Sequence, residues 1–205
     1  MGNVFPGKPG KPDMVVALGA STGGTQSTAR ILHRLPPDFP GIVIVQHMPE
    51  IFTRLYADNL DKECAMTVRE AKDGSPVLRG HVLIAPGDAH MRLIRHVSGG
   101  YAVSCTAGPK VSGHRPSVDE LFFSAARVAG AHAVGVILTG MGMDGALGLC
   151  EMRRCGAYTI GQDESTCVVY GMPKEAFDRG GVVRQAPLDL IPELLLRVAQ
   201  KMRNS

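Results

Sequence analysis

Met14-Val15-Val16-Ala17-Leu18-Gly19-Ala20-Ser21-Thr22-Gly23-Gly24 is the stretch that decides the fold. Residues 14–18 are apolar at both odd and even positions. A strand with one solvated face would alternate, so this one is buried on both faces, as in a parallel sheet covered by helices. The glycines that follow predict a tight turn into a helix ending near residue 34. Gly41-Ile42-Val43-Ile44-Val45-Gln46 repeats the pattern, and so does Val134-Gly135-Val136-Ile137-Leu138-Thr139. The third run leads into Gly140-Met141-Gly142-Met143-Asp144-Gly145 and a helix to about residue 155. Strands alternating with helices predict an α/β domain, doubly wound around a mainly parallel sheet.

The segment 68–105 reads differently. Turn signals at Asp73-Gly74, Pro86-Gly87-Asp88 and Ser98-Gly99-Gly100 separate short apolar runs. They predict strands over 82–85, 91–95 and 101–105 with hairpin connections, an added antiparallel region. Thr53 is the expected cap of a helix to about residue 60. Ser117-Val118-Asp119-Glu120 has capping-box spacing and opens a helix to about residue 129. Short strands are expected over 158–161, 167–169 and 182–184. Pro173 starts a helix that Gly180-Gly181 ends, and 188–202 is a C-terminal amphipathic helix.

The 205 residues suit one domain. Residues 1–13, rich in Gly, Pro and Lys, read as a linker, and 14–205 as the domain. With 44% hydrophobic and 20% charged residues, the chain reads as soluble and globular. A net charge of +3, aromatics at 5% and no Trp argue against a nucleic-acid binder. Five cysteines without a Cys-x-x-Cys pair make a disulfide framework or a zinc site unexpected and point to a cytoplasmic location. No apolar run is long enough for membrane insertion.

Ser21, His47 and Asp144 each follow one of the three buried strands, so a parallel sheet brings them to one edge. A hydroxyl, an imidazole and a carboxylate are the set that nucleophilic acyl transfer requires. Imidazole takes the serine proton because its pKa lies near neutrality. The carboxylate fixes its tautomer, and the Thr22 N–H beside the nucleophile is the natural oxyanion donor. Taken singly, each residue has a plainer reading: a cap or phosphate-loop serine, a strand-end histidine, an Asp-Gly turn. Gly19-x-Ser21-x-Gly23 matches the nucleophile elbow, yet α/β-hydrolases order the triad Ser, acid, His. Either the partners are others, such as His96, His114 or His132, or the fold is not the α/β-hydrolase topology. A nucleotide site is the rival from another class. Against it, the glycines miss the G-x-G-x-x-G spacing, and His47 stands where an acidic residue would close the next strand.

Six segments in register settle the choice at the level of resemblance. They are Gly19-Ala20-Ser21-Thr22-Gly23-Gly24-Thr25, Gln46-His47-Met48-Pro49, Ile84-Ala85-Pro86-Gly87-Asp88-x-His90-Met91, His114-Arg115-Pro116-Ser117-Val118-Asp119, residues 135–145, and Tyr170-Gly171-Met172-Pro173. The chain resembles the catalytic domain of the chemotaxis receptor methylesterase/glutaminase family (CheB). The resemblance implies a Ser21-His47-Asp144 triad, with Met141 contributing to the oxyanion site through its backbone, and no cofactor or metal. It implies as substrate the cytoplasmic helices of methyl-accepting chemotaxis receptors. Family members usually carry an N-terminal receiver domain. This chain has only its linker-like start, so it looks like an excised catalytic domain or a single-domain relative. Asp88, His90, His114 and Arg115 are expected to fix loops around the cleft, and Met48, Met141, Met143 and Met172 to line it.

Overall fold

A computed structural model describes residues 14–204. The linker reading of residues 1–13 lies outside the described residues. In chain order the elements are β1 (Val15–Ala20), α1 (Gly24–Leu32), β2 (Ile42–Gln46), α2 (Glu50–Glu63), β3 (Thr67–Glu70), β4 (Pro76–Val77), β5 (His81–Ile84), β6 (His90–Arg95), β7 (Tyr101–Thr106), α3 (Val118–Ala129), β8 (Ala133–Ile137), α4 (Ala146–Arg154), β9 (Tyr158–Gln162), α5 (Met172–Asp178), β10 (Arg184–Ala186) and α6 (Ile191–Arg203).

Seven strands form one sheet in the order β10-β9-β8-β1-β2-β5-β3. Every pairing in it is parallel. From β1 the chain winds outward through β2, then returns to the other side of β1 as β8. That reversal makes the β1/β8 boundary the topological switch point, where carboxyl-end crevices form. The burial follows from the sequence pattern. Val15 and Ala17 of β1 face a core shared with α3, α4 and the antiparallel strands. Val16, Leu18 and Ala20 face the opposite core with Ile31 and Leu32 of α1, Ala57 and Leu60 of α2, and Leu195 of α6. Helices therefore cover both faces, and the doubly wound fold is as expected.

β4, β7 and β6 form a separate three-stranded antiparallel sheet. Its β6–β7 hairpin runs from His90↔Thr106 to Arg95↔Tyr101, against α3. The expected hairpin strand at 82–85 belongs elsewhere: β5 lies inside the parallel sheet between β2 and β3. Val82, Leu83 and Ile84 are all buried, the continuous pattern of a strand covered on both faces.

Three further expectations are corrected. Thr53 does not cap α2. Pro49 occupies that position with extended backbone, and Thr53 lies one turn in, its hydroxyl donating to the Glu50 carbonyl and to Glu70. Residues 167–169 form no strand; a short 3-10 turn, Glu164–Thr166, precedes them, and Gly140↔Tyr170 is a single bridge. The last strand is β10, two residues later than expected. Ser117 does cap α3, its hydroxyl accepting from the Glu120 N–H.

Two glycines explain how α3 and the loop after β8 reach the site. A Cβ on Gly19 would lie 2.2 Å from Val118 Cγ1, so α3 could not rest on the end of β1. A Cβ on Gly140 would lie 2.7 Å from Ser21 Cβ and 2.3 Å from Met172 Sδ. Only glycine lets the residues after β8 press against Ser21.

Candidate active site

β1 and β2 pair in register up to Ala20↔Gln46, so Ser21 and His47 are the next residues on adjacent strands. The His47 N–H donates to the Ala20 carbonyl at 3.0 Å, and the Ser21 N–H to the Thr139 carbonyl at 3.0 Å. Ser21 thus sits between the ends of β2 and β8, beside the switch point. Asp144 arrives from the loop between β8 and α4. Its Oδ2 lies 2.8 Å from His47 Nε2, and both side chains are buried. Of the other histidines weighed as partners, His96 bonds Ser98 beyond the end of β6, His132 lies just ahead of the first residue of β8, and His114 meets the group, as described below.

Asp144 is held from four directions. Oδ1 accepts from the Ser117 hydroxyl at 2.7 Å and from the Asp119 N–H at 3.1 Å. Oδ2 accepts from the Val118 N–H at 2.7 Å as well as from His47. The carboxylate therefore caps α3, where unpaired N–H groups and the helix dipole favour negative charge. Burial pushes its pKa up. The hydrogen bonds from His47, Ser117, Val118 and Asp119 outweigh that and hold it below the ordinary carboxylate value. Asp119, in the first turn of α3, returns the favour to α4: its Oδ1 accepts from the Gly148 N–H at 2.7 Å. Burial is the main cause raising the Asp119 carboxyl from 3.8 to about 6. The charge of Asp144 adds to that rise, and the Gly148 and Gly145 N–H groups oppose it.

With Nε2 committed to a carboxylate, which can only accept, that nitrogen carries the proton. Nδ1 is then the basic nitrogen, and it is buried without a hydrogen-bond partner. Ser21 Oγ makes no hydrogen bond to it; bonds of this kind often tighten only once substrate is in place. Against the other side of the ring lies His114, stacked at 3.8 Å between centroids and 6° between planes. Burial lowers the His114 pKa; nearby His47 and Lys110 act in the same direction, and Asp144 opposes them. Sequence reasoning placed His114 in a cleft loop but missed the stacking, which needs the path of residues 107–116.

A cavity of about 330 Å³ opens over the imidazoles, with His47, Met48, Glu50, Lys110, His114 and Arg115 in its walls. Arg115 Nε donates to Asp88 at 2.9 Å, and its Nη1 reaches the Gly108 carbonyl. Buried His90 holds the same loop at both ring nitrogens. Nε2 meets the Pro109 carbonyl at 2.8 Å, and Nδ1 accepts the Ser117 N–H at 3.3 Å. These residues fix the loop as expected, and Asp88, His114 and Arg115 also line the cavity. Of the four methionines expected to line it, Met48 does; Met141 and Met143 are exposed and Met172 is fully buried in the core.

Near Ser21, neither the Thr22 N–H nor the Met141 N–H has an acceptor among the described residues. Both lie next to Ser21, Thr22 by sequence and Met141 through the Gly140 contact. Among the described residues no group of three or more His, Cys, Asp and Glu side chains is arranged to hold a metal ion. No helix there is long and apolar enough to cross a membrane.

A parallel α/β domain with a serine, a carboxylate-bound histidine and unpaired N–H groups at its switch point has the equipment of an acyl-transfer site. The CheB methylesterase model matches residues 16–195, and the chain belongs to that family. Protein-glutamate methylesterase/protein-glutamine glutaminase 2 of Rhizobium johnstonii is 58% identical over 189 residues, 92% of this chain and 52% of the relative. Protein-glutamate methylesterase/protein-glutamine glutaminase 3 of Geobacter metallireducens is 56% identical over 93% of this chain and 55% of its own length. The chain therefore spans about half the length of the curated relatives it matches. The crystal structure of the Thermotoga maritima CheB methylesterase catalytic domain superposes with a TM-score of 0.88 at 40% identity. That match covers 91% of this chain and 98% of the other.

Proposed function

We propose that this chain hydrolyses methyl esters of glutamyl side chains on the cytoplasmic helices of chemotaxis receptors, and deamidates receptor glutamines, through Ser21, His47 and Asp144. The observation that carries the reading is the 2.8 Å His47–Asp144 pair, set one register step from Ser21 and leaving Nδ1 unpartnered. Family membership and the names of the relatives support the choice of ester.

In this mechanism the Ser21 oxygen attacks the ester carbonyl as His47 Nδ1 takes its proton. Asp144 on Nε2 stabilises the imidazolium. The N–H groups of Thr22 and Met141 receive the oxyanion. Collapse expels methanol, or ammonia from a glutamine, with the proton returned by His47. Water, deprotonated by His47, then releases glutamate and restores Ser21. The residues supply every step without a cofactor or metal. The enzyme works in the cytoplasm, where those receptor helices lie.

The test is methanol release from methylated receptor by this chain and by Ser21→Ala in parallel. The variant is expected to fold normally, release no methanol above background and escape labelling by a fluorophosphonate. Retained release by Ser21→Ala would overturn the reading.

A further inference from the structure

We propose that Gln46 is a positioning residue that aims the Thr22 N–H, the oxyanion donor, by holding the peptide unit to which it belongs; this rests on the reading of Ser21 as nucleophile. Gln46 is the last residue of β2 and is 2% exposed. Its Nε2 donates to the Ser21 carbonyl at 2.8 Å and to the His47 carbonyl at 3.2 Å. Carbonyl oxygens only accept, so the amide must turn its NH2 toward them. That leaves Gln46 Oε1 buried with no donor. A buried acceptor left unpaired is a cost to the fold. The core tolerates it to keep both N–H bonds on the two carbonyls.

The Ser21 carbonyl also accepts the Gly24 N–H at 2.8 Å. Two donors from different directions fix that oxygen. The Ser21 carbonyl and the Thr22 N–H belong to one planar trans peptide and point in opposite directions. Fixing the oxygen therefore fixes the N–H. The next peptide is held too, with Thr139 Oγ1 donating to the Thr22 carbonyl at 3.0 Å. The Thr22 N–H is thus clamped on both sides while having no acceptor of its own among the described residues. Preorganised donors of this kind act on charge that develops only in the transition state. Glycine at 24 is required for the clamp: a Cβ there would lie 2.3 Å from Gln46 Oε1. The second bond, to the His47 carbonyl, ties nucleophile and base to one side chain.

Gln46→Met keeps the length of the side chain and removes both donors, and Gln46→Glu replaces them with acceptors. Each is assayed for kcat and KM on methylated receptor, for thermal unfolding, and for inhibition by a peptidyl trifluoromethyl ketone. That ketone adds the Ser21 oxygen at its carbonyl carbon; the carbonyl pair becomes the oxyanion and the serine proton passes to His47. Folded Gln46→Met is expected to lose roughly 10–100-fold in kcat, less than the 10²–10³ for deleting a donor outright, with KM within about twofold. Ketone affinity should fall by the same factor. A folded variant with kcat within about twofold of wild type overturns the proposal. So does a kcat loss without loss of ketone affinity, or failure of both variants to fold, which assigns Gln46 to packing. Absence of fluorophosphonate labelling at Ser21 in the wild type would instead remove the hydrolase reading on which this one rests.

Discussion

Replacing Asp144 by Asn tests whether its charge, rather than its shape, drives the site. The substitution keeps the volume and confronts one terminal atom with wrong partners. If the amide NH2 takes the Oδ2 position, it opposes the Val118 N–H and the Nε2–H of His47. The ring must then move its proton to Nδ1, and the base is lost. If it takes the Oδ1 position, the Ser117 hydroxyl can rotate to accept, but the Asp119 N–H is orphaned. Either arrangement leaves one buried N–H unpaired, a stability cost of about 1–3 kcal/mol. In a chain of this size each kcal/mol corresponds to roughly 2–4 °C in Tm. The catalytic cost is larger. Loss of the triad carboxylate lowers turnover by roughly 10⁴, about 5 kcal/mol of barrier. Methanol release from methylated receptor, measured well below the lowered Tm, separates the two effects. Turnover within tenfold of wild type would refute the reasoning, since an uncharged amide oxygen would then serve His47 as well as the carboxylate does.

Other expectations concern the surroundings of the same groups. Ser117→Ala removes one donor from Asp144 and the α3 cap; thermal denaturation should show a loss of about 1 kcal/mol, and no change would deny the cap its role. Gly140→Ala forces a methyl against Ser21 and Met172; active-site titration should show far fewer reactive serines, and a full titre would mean the loop after β8 does not support Ser21. Asp119 has a folded pKa of about 6, above its unfolded 3.8. The stability this contributes is present below 3.8 and lost as pH rises through 6, to about 3 kcal/mol at most. Asp119→Asn should therefore gain Tm relative to wild type between pH 4 and 7, and a constant difference across that range would contradict the assignment.

The three central strands were legible because burial on both faces leaves no room for polar alternation. Ser21 and Asp144 stand in the glycine-rich loops after β1 and β8, and His47 directly follows the last residue of β2. β3 escaped notice because Thr67-Val68-Arg69-Glu70 lies at the sheet edge and carries only one fully buried residue. β5 was seen but misassigned, since four residues cannot declare which sheet they join. Thr53 was a sound cap by type, yet Pro49 preorganises the start of α2 earlier, and the hydroxyl is spent on Glu50 and Glu70 instead. The partners of the site were the least legible. Ser117, Gln46 and His114 meet Asp144, the Ser21 carbonyl and the His47 ring only after the chain has closed. Their local signals were a cap, a strand end and a loop histidine.

The exchange of carboxylates between α3 and α4 has a further consequence. Asp144, from the loop before α4, accepts the Val118 and Asp119 N–H groups at the start of α3, while Asp119 accepts the Gly148 N–H in the first turn of α4. Each helix has first-turn N–H groups held by a carboxylate from the other's side, so the two form a single clasp. Asp144, the acid of the proposed triad, is one half of that clasp, and the chain cannot move or lengthen this residue without unfastening a helix pair. Architecture and the proposed chemistry therefore call for the same side chain at 144, the one through the paired helix starts, the other through His47.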